Sequence, residues 1–463
     1  MPAKVYYMDD HATNGGESTP FKAVKLLRDA GIKDLFKKGD TVGIKIHTGD
    51  YGNSLNLRPH WIKAIAEEVQ RLGGYPVIVE TNTNINAFGN ARVETNIHRK
   101  TASRHGINEA TMECPIWLPD GVMDIEGVEC PVHHGVYLNK TYVSTQMTRL
   151  DAVIVVSHFK GHPQGVFGGA IKNVGIGMAS SKGKSTTHLV NHPVYGVKTA
   201  KLNPEVVDKM MQMPHPNVID GLLTGCPFDV FEMDNGQLVK HEERCVSCSA
   251  CFNCTLFSGV QVFKDNKVIT AIPSTIADSA AGIIDYIGKD KFMFVNYAFD
   301  ITPACDCTNF HDRPMIQNIG TFVSRDPVAV DMACIEACEN LVAVPGSKAD
   351  TIGLSEPNTE RFTNVSSMAQ LSQWQQINAA VYNGLGTSEY ILVESEPLSN
   401  AEVTSWHFDY GPGKPVGRVY RDLIRSANWD LGGAPASNEP RISEELLSVK
   451  PNGIVKEISI KEE

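Results

Sequence analysis

The sequence predicts an α/β fold built on a mainly parallel sheet, with a small cysteine-rich insert, and three observations predict it. Over the first 200 residues short β-rich runs alternate with helical patterns, and one strand–helix–strand unit closes within about 40 residues. DAVIVV (151–156) is continuously apolar and β-branched, the pattern of a strand buried on both faces. The alternation fails between 225 and 270, where four cysteines crowd into short polar turns, so that stretch reads as an inserted module.

In chain order, KVYYM (4–8) is the first strand, and Ser18, Thr19 and Pro20 open a helix over FKAVKLLRDAG. TVGIKIH (41–47) is the next strand. Trp61, Ile62, Ile65 and Val69 then recur at helical spacing between Arg58 and Leu72, and Gly73 and Gly74 close that helix. YPVIVE (75–80) completes a βαβ unit, expected to cross over right-handed. Past the strand at 151–156, VQVFKDNKVIT (260–270) predicts a hairpin around Asp265 and Asn266. A helix near 274–287, a strand KFMFVNYA (291–298) and a helix capped by Asp326 with Pro327 in its first position follow. Beyond 345 one helix (MAQLSQWQQINAAVY) and one strand (EYILVES) are legible before a peripheral tail. The expected divisions are 1–224 and 271–345 for the α/β core, 225–270 for the insert and 346–463 for a C-terminal extension.

Composition bounds the function. Against 53 acidic residues stand 42 Lys and Arg, a net charge of -11, which argues against a general nucleic-acid binder and against an anionic membrane as partner. Hydrophobic residues make up 42% and charged residues 21%, which excludes wholesale disorder. No apolar run approaches the roughly 18 residues that span a bilayer. MPAKVYYMDDHATNGG has no basic segment leading into an apolar one, so a cytoplasmic location is expected.

Eleven cysteines, an odd number without an export signal, argue against a disulfide scaffold. Cys245, Cys248, Cys251 and Cys254 are two residues apart, a spacing that lets three or four thiolates wrap one [4Fe-4S] cluster. Zinc knuckles instead separate their CxxC pairs by a dozen or more residues. The run departs from the bacterial ferredoxin spacing at its end, where Asn253 precedes Cys254 and Thr255 follows it, so Cys226, Cys305 or Cys307 could complete the site. Cys305 and Cys307, placed at a strand end, would share one face and reach a single metal or cluster edge. Cys114, Cys130, Cys334 and Cys338 read as structural or incidental.

The glycine-dense segment 157–177 follows the buried strand, where open α/β sheets bind ligands. Its glycines would leave backbone N–H groups free for an anion, and Lys160 and Lys172 add positive charge. His158 and His162 offer acid–base chemistry or metal ligation. The expected catalytic residues are therefore His158, His162 and Lys172, with Lys160, Gly168 and Gly169 binding substrate. His47, beside Lys45, Thr48 and the Gly49–Gly52 loop, would join them from a second strand end. His188 and His192 are four apart, but Pro193 disfavours a helix there, which weakens a metal site. Neither a Walker loop nor a dinucleotide fingerprint is present.

VGIKIHTGDYGNSLNLRP (42–59), GGYPVIVETNT (73–83), VVSHFKGHPQGVFGGAIKNVGIG (155–177), the cysteine run, ITPACDC (301–307) and VSRDPVAVD (323–331) together resemble the uncharacterised iron-sulfur centre proteins of domain-of-unknown-function family 362. The resemblance covers roughly residues 1–345 and implies a Rossmann-like core, a ferredoxin-like insert and a redox role. Segment 155–177 also resembles the His-rich, Gly-Gly-x-Lys loop of nickel-pincer lactate racemases, which would make Lys172 a cofactor anchor and His158 or His162 a base or ligand. The expected function is an iron-sulfur oxidoreductase acting on a small anionic substrate, with one cluster that aerobic purification can destroy. The competing expectations are a ferredoxin-like electron carrier serving a protein partner, and a zinc- or nickel-binding protein. A homo-oligomer is left open.

Overall fold

The computed structural model describes residues 2–403 apart from 85–89, 120, 123, 189–200, 216, 227, 246–250, 252–266, 368–369 and 400. Cys248, Cys254, His192 and the tail from 404 lie outside the described residues. The chain opens with β1 (Ala3–Asp9), α1 (Thr19–Asp29), β2 (Thr41–Lys45), α2 (Pro59–Arg71), β3 (Tyr75–Val79), α3 (Thr95–Arg104) and β4 (Ile116–Trp117). A hairpin of β5 (Val128–Pro131) and β6 (Lys140–Val143) precedes β7 (Ala152–His158), which runs into a short hairpin of β8 (Lys160–His162) and β9 (Val166–Gly168). Helices α4 (Ala170–Gly175) and α5 (Ser181–Thr187) follow directly. After the hairpin β10 (Phe231–Asp234) and β11 (Gln237–Lys240) come α6 (Lys267–Ile287), β12 (Phe292–Ala298), β13 (Gly320–Ser324), α7 (Pro327–Glu339), α8 (Trp374–Tyr382) and β14 (Tyr390–Glu394).

Eight strands form one sheet in the order β14-β1-β13-β12-β7-β2-β3-β4. The five from β12 to β4 are parallel, while β13 is antiparallel to both of its neighbours. Every residue of β7 and β12 is buried, because helices cover both faces. Period-2 alternation splits β7 between two cores. Ile154 and Val156 face Leu26, Leu27, Trp61, Ile62 and Ile65 of α1 and α2. Val153 and Val155 face Ile171 and Val174 of α4, Ile276 and Ala280 of α6 and Val330 of α7. The architecture is thus a helix–sheet–helix α/β fold of the Rossmann-like kind.

Helix starts follow local chemistry. Pro20 and Pro59 sit in first turns, where a missing N–H costs nothing, and Asp326 accepts the Val328 and Ala329 N–H groups at 2.8 and 3.0 Å. Two expected elements differ. Residues 267–270 are not the second arm of a hairpin but the first turn of α6, whose buried Ala271, Ile272, Thr275, Ile276 and Ser279 recur at helical spacing. α8 starts at Trp374 rather than 368, after a turn in which Ser372 Oγ accepts the Trp374 N–H. Beyond 345, β14 pairs in parallel with β1 and α8 packs on α6, so both belong to the main body. Around β10 and β11 lies a separate small core that includes Cys226, Cys251, Val230, Phe231 and Leu238, with Cys245 packed against it. No helix among the described residues is long and apolar enough to cross a membrane.

Candidate active site

The carboxyl ends of β2, β3, β7 and β12 converge on a cavity of about 140 Å³, where an open parallel sheet presents its loops. β7 leads straight into His158, the β8–β9 hairpin and Gly169, after which α4 carries Lys172 and Asn173. The loop after β12 brings Cys305, Asp306 and Cys307 to the same place.

Cys305 and Cys307 lie in a turn rather than on a strand. Asp306 turns away from them to His158 Nδ1 (2.9 Å) and Lys160 Nζ (3.2 Å), and this leaves the two thiols together. Lys172 Nζ is 4.0 Å from Cys305 Sγ, and Cys307 Sγ is 3.7 Å from His162 Nε2. Burial by itself would raise the Cys305 thiol, but its hydrogen bond with Cys307 and the Lys172 and Lys160 ammonium groups outweigh burial and hold it well below its ordinary value. Cys307 is pushed well above its ordinary value by the same hydrogen bond and by burial, so the pair retains one proton on Cys307.

The His and Lys groups around the cavity divide by role. His158 has both ring nitrogens engaged, Nδ1 with Asp306 and Nε2 with the Phe299 carbonyl at 2.7 Å, so it braces the cysteine turn and has no nitrogen left for a substrate. Burial would lower the Lys160 ammonium, but Asp306 and Cys305 raise it above its ordinary value and keep it charged. His162 accepts the Gln164 and Gly165 N–H groups at Nδ1 (3.1 and 2.8 Å). Burial, then Lys172, lowers it to about 4, so its ring is neutral with the proton on Nε2, facing the thiols. His47 accepts the Gly49 N–H at Nδ1 (3.0 Å), and burial and Arg92 keep it neutral as well. Lys45 does not line the cavity: its ammonium is buried against Glu80 (2.9 Å) and Asn173 (2.8 Å). His188 lines it without a histidine partner among the described residues.

Five N–H groups of the glycine-rich segment are taken within the protein rather than left for an anion. Asp331 of α7 accepts the Ala170 and Ile171 N–H groups at 2.7 and 2.9 Å, His162 takes those of Gln164 and Gly165, and the Gly161 N–H donates to Thr302. Gly169 is required by that arrangement, since a Cβ there would stand 2.2 Å from Asp331 Oδ1. Gly168 faces Lys160 and Lys172 across ordinary contact distances. Three cavity or bracing groups carry no sequence motif: Arg92, Lys184 and Asp331. Arg92 and Asp331 reach the site across a long chain separation, so no local period marks them. The only trace was the acidic position closing VSRDPVAVD.

The ligand-type atoms of His162, Cys305 and Cys307 lie within 4.8 Å of one another, close enough to hold a metal ion. Two thiols and an imidazole suit a soft or borderline metal, although His162 would have to release its Nε2 proton first. Cys245 and Cys251 are not among the cavity residues.

Residues 42–336 match the family described as Domain of unknown function (DUF362), and the chain belongs to that family. No curated protein matches. Among solved structures it is similar to the lactate racemase apoprotein from Thermoanaerobacterium thermosaccharolyticum, at 11% identity over 92% of this chain and 90% of that one, with a TM-score of 0.35.

Proposed function

We propose that this chain is an iron-sulfur oxidoreductase acting on a small anionic substrate held in the strand-end cavity. The observation behind this reading is the junction of Lys172 with the Cys305–Cys307 pair and His162 at a cavity also bordered by Lys184 and Arg92. Buried positive charge of this kind draws an anion, and the thiols and neutral His162 supply soft donors and a proton at Nε2. Cys245, Cys248, Cys251 and Cys254 would hold the [4Fe-4S] cluster. The clustering of Cys226, Cys251 and Cys245 around one apolar core is consistent with that, since it keeps water from the thiolates. When bound, the cluster supplies single-electron or Lewis-acid chemistry. Lys172 would orient the anion, Cys305 would face its reacting end, and Lys160, His158 and Asp306 would keep the cysteine turn in place.

The test is metal and acid-labile sulfide analysis of anaerobically purified protein. About four iron and four sulfide per chain are expected, lost in Cys248→Ser. A full cluster retained in that variant refutes the ligand assignment. Stoichiometric zinc or nickel without sulfide would move the metal to His162, Cys305 and Cys307 and make the oxidoreductase reading wrong.

A further inference from the structure

Among the described residues, Arg92 is the one cation at the cavity with buried donor atoms that have no hydrogen-bond partner. Its residue is 4% exposed, and Nε and Nη2 of its guanidinium are buried without a hydrogen-bond partner. Its backbone, by contrast, is fixed. Arg92 N–H donates to Asn90 Oδ1 (3.1 Å), its carbonyl accepts the Thr83 N–H (2.9 Å), and the Ala91 N–H donates to Asp50 (2.9 Å). Asn90 Nδ2 also donates to the Cys307 carbonyl at 3.0 Å, which ties this loop to the cysteine turn.

Three carboxylates of the surrounding loops are committed elsewhere. Glu80 is engaged with Lys45, Asp306 with His158 and Lys160, and Asp50 with the Tyr51 and Ala91 N–H groups. Burying a charged group without partners destabilises a fold. Nε–H and Nη2–H of an arginine are parallel and spaced for the two oxygens of one oxyanion, so a ligand would supply what the protein withholds.

From this geometry we infer that Arg92 anchors a carboxylate, and that the substrate is a short carboxylate held by Arg92 at one end and presented to Lys172 and Cys305 at the other. The inference deepens the anion-binding reading above and rests on it. A carboxylate fits better than a phosphate, because phosphate sites in α/β folds draw on backbone N–H groups at a glycine loop and helix start. Here those of Gln164, Gly165, Ala170 and Ile171 are already taken by His162 and Asp331. A cavity of about 140 Å³ limits the ligand to roughly half a dozen non-hydrogen atoms, the size of one benzene.

The experiment is calorimetric titration of the full chain, purified anaerobically, with malonate and separately with inorganic phosphate, for wild type, Arg92→Met, Arg92→Lys and Lys172→Met. Thermal unfolding of the same proteins is followed alongside. Wild type should bind malonate more tightly than phosphate. Arg92→Met should lose at least 100-fold in malonate affinity, the scale of two charge-assisted hydrogen bonds, and Arg92→Lys about tenfold, since an ammonium restores charge without the paired donors. Without ligand both variants should melt no lower than wild type, because an unpaired buried charge has been removed or eased. Malonate binding equal in wild type and both Arg92 variants overturns the inference while leaving the anion cavity intact, provided Lys172→Met weakens it. Phosphate bound in preference to malonate overturns the carboxylate assignment. Wild type binding neither anion removes the anion-cavity reading itself. A lower unliganded melting temperature in both Arg92 variants would mark a structural guanidinium and overturn the anchor.

Discussion

Replacing Asp331 by asparagine should remove a pH dependence of folding that one side chain creates. Asp331 is fully buried on α7 and accepts hydrogen bonds from Ala170 N (2.7 Å), Ile171 N (2.9 Å) and Asn296 Nδ2 (2.7 Å). Burial, the largest influence, pushes its carboxyl up from 3.8 to about 7 although those three bonds pull it down. A shift of about 3 units at about 1.4 kcal/mol each means that ionised Asp331 destabilises the folded chain by on the order of 4 kcal/mol relative to the protonated form. Because the folded value lies above the unfolded one, the protonated group's contribution is complete below about pH 4 and is lost as pH rises through about 7. Asparagine keeps the shape and one acceptor oxygen but cannot ionise. Urea unfolding of wild type and Asp331→Asn between pH 4.5 and 8.5 should therefore show the wild type losing stability relative to the variant as pH rises, most steeply between 5 and 7. A difference between the two proteins that does not change with pH would refute the reasoning. Asp331→Ala, which frees the start of α4 altogether, should in addition weaken anion binding, because α4 carries Lys172.

Three further outcomes follow from the same geometry. Gly161→Ala should lower stability by about 2 kcal/mol or more, since its Cβ would stand 2.1 Å from Ser366 Oγ and 2.4 Å from the Pro303 carbonyl, whereas Gly168→Ala, whose nearest contacts are at 3.6 Å, should change thermal melting little. Glu80→Gln leaves the buried Lys45 ammonium without its carboxylate and should cost about 3–5 kcal/mol in urea unfolding. Burial holds the Lys184 ammonium down at about 7, with Asp124 and Glu80 opposing burial and Lys45 and Arg92 adding to it, so Lys184 loses its charge above neutrality. Malonate affinity should accordingly fall about tenfold between pH 6 and 8.5 in wild type and much less in Lys184→Met.

Much of the fold was legible because each strand and helix carries its own period. DAVIVV has no polar face to hide, so it had to be a strand covered on both sides, and the Asp326-Pro327 start needs only its own backbone to be recognised. The reading failed at 267–270, where three β-prone residues, Val268, Ile269 and Thr270, join a helix because Ile272 and Ile276 behind them pack into the main core and Ala271 into the small one. The glycine-dense segment was legible as a strand-end loop, and there the local signal ended. Whether its N–H groups face a ligand depends on Asp331, 160 residues further along, and no spacing within the loop records that.

What the sequence by itself determined is therefore the α/β class, the order of its elements and the chemistry available at the strand ends. Only the tertiary structure decided how that chemistry is allocated. It pairs Lys45 with Glu80, consumes His158 in bracing Asp306 and sets Lys172 against Cys305, while Arg92 is left buried and unpaired. The physical reason is that a charge's role depends on which opposite charge and how much water surround it, and both are set by packing between segments far apart in the chain.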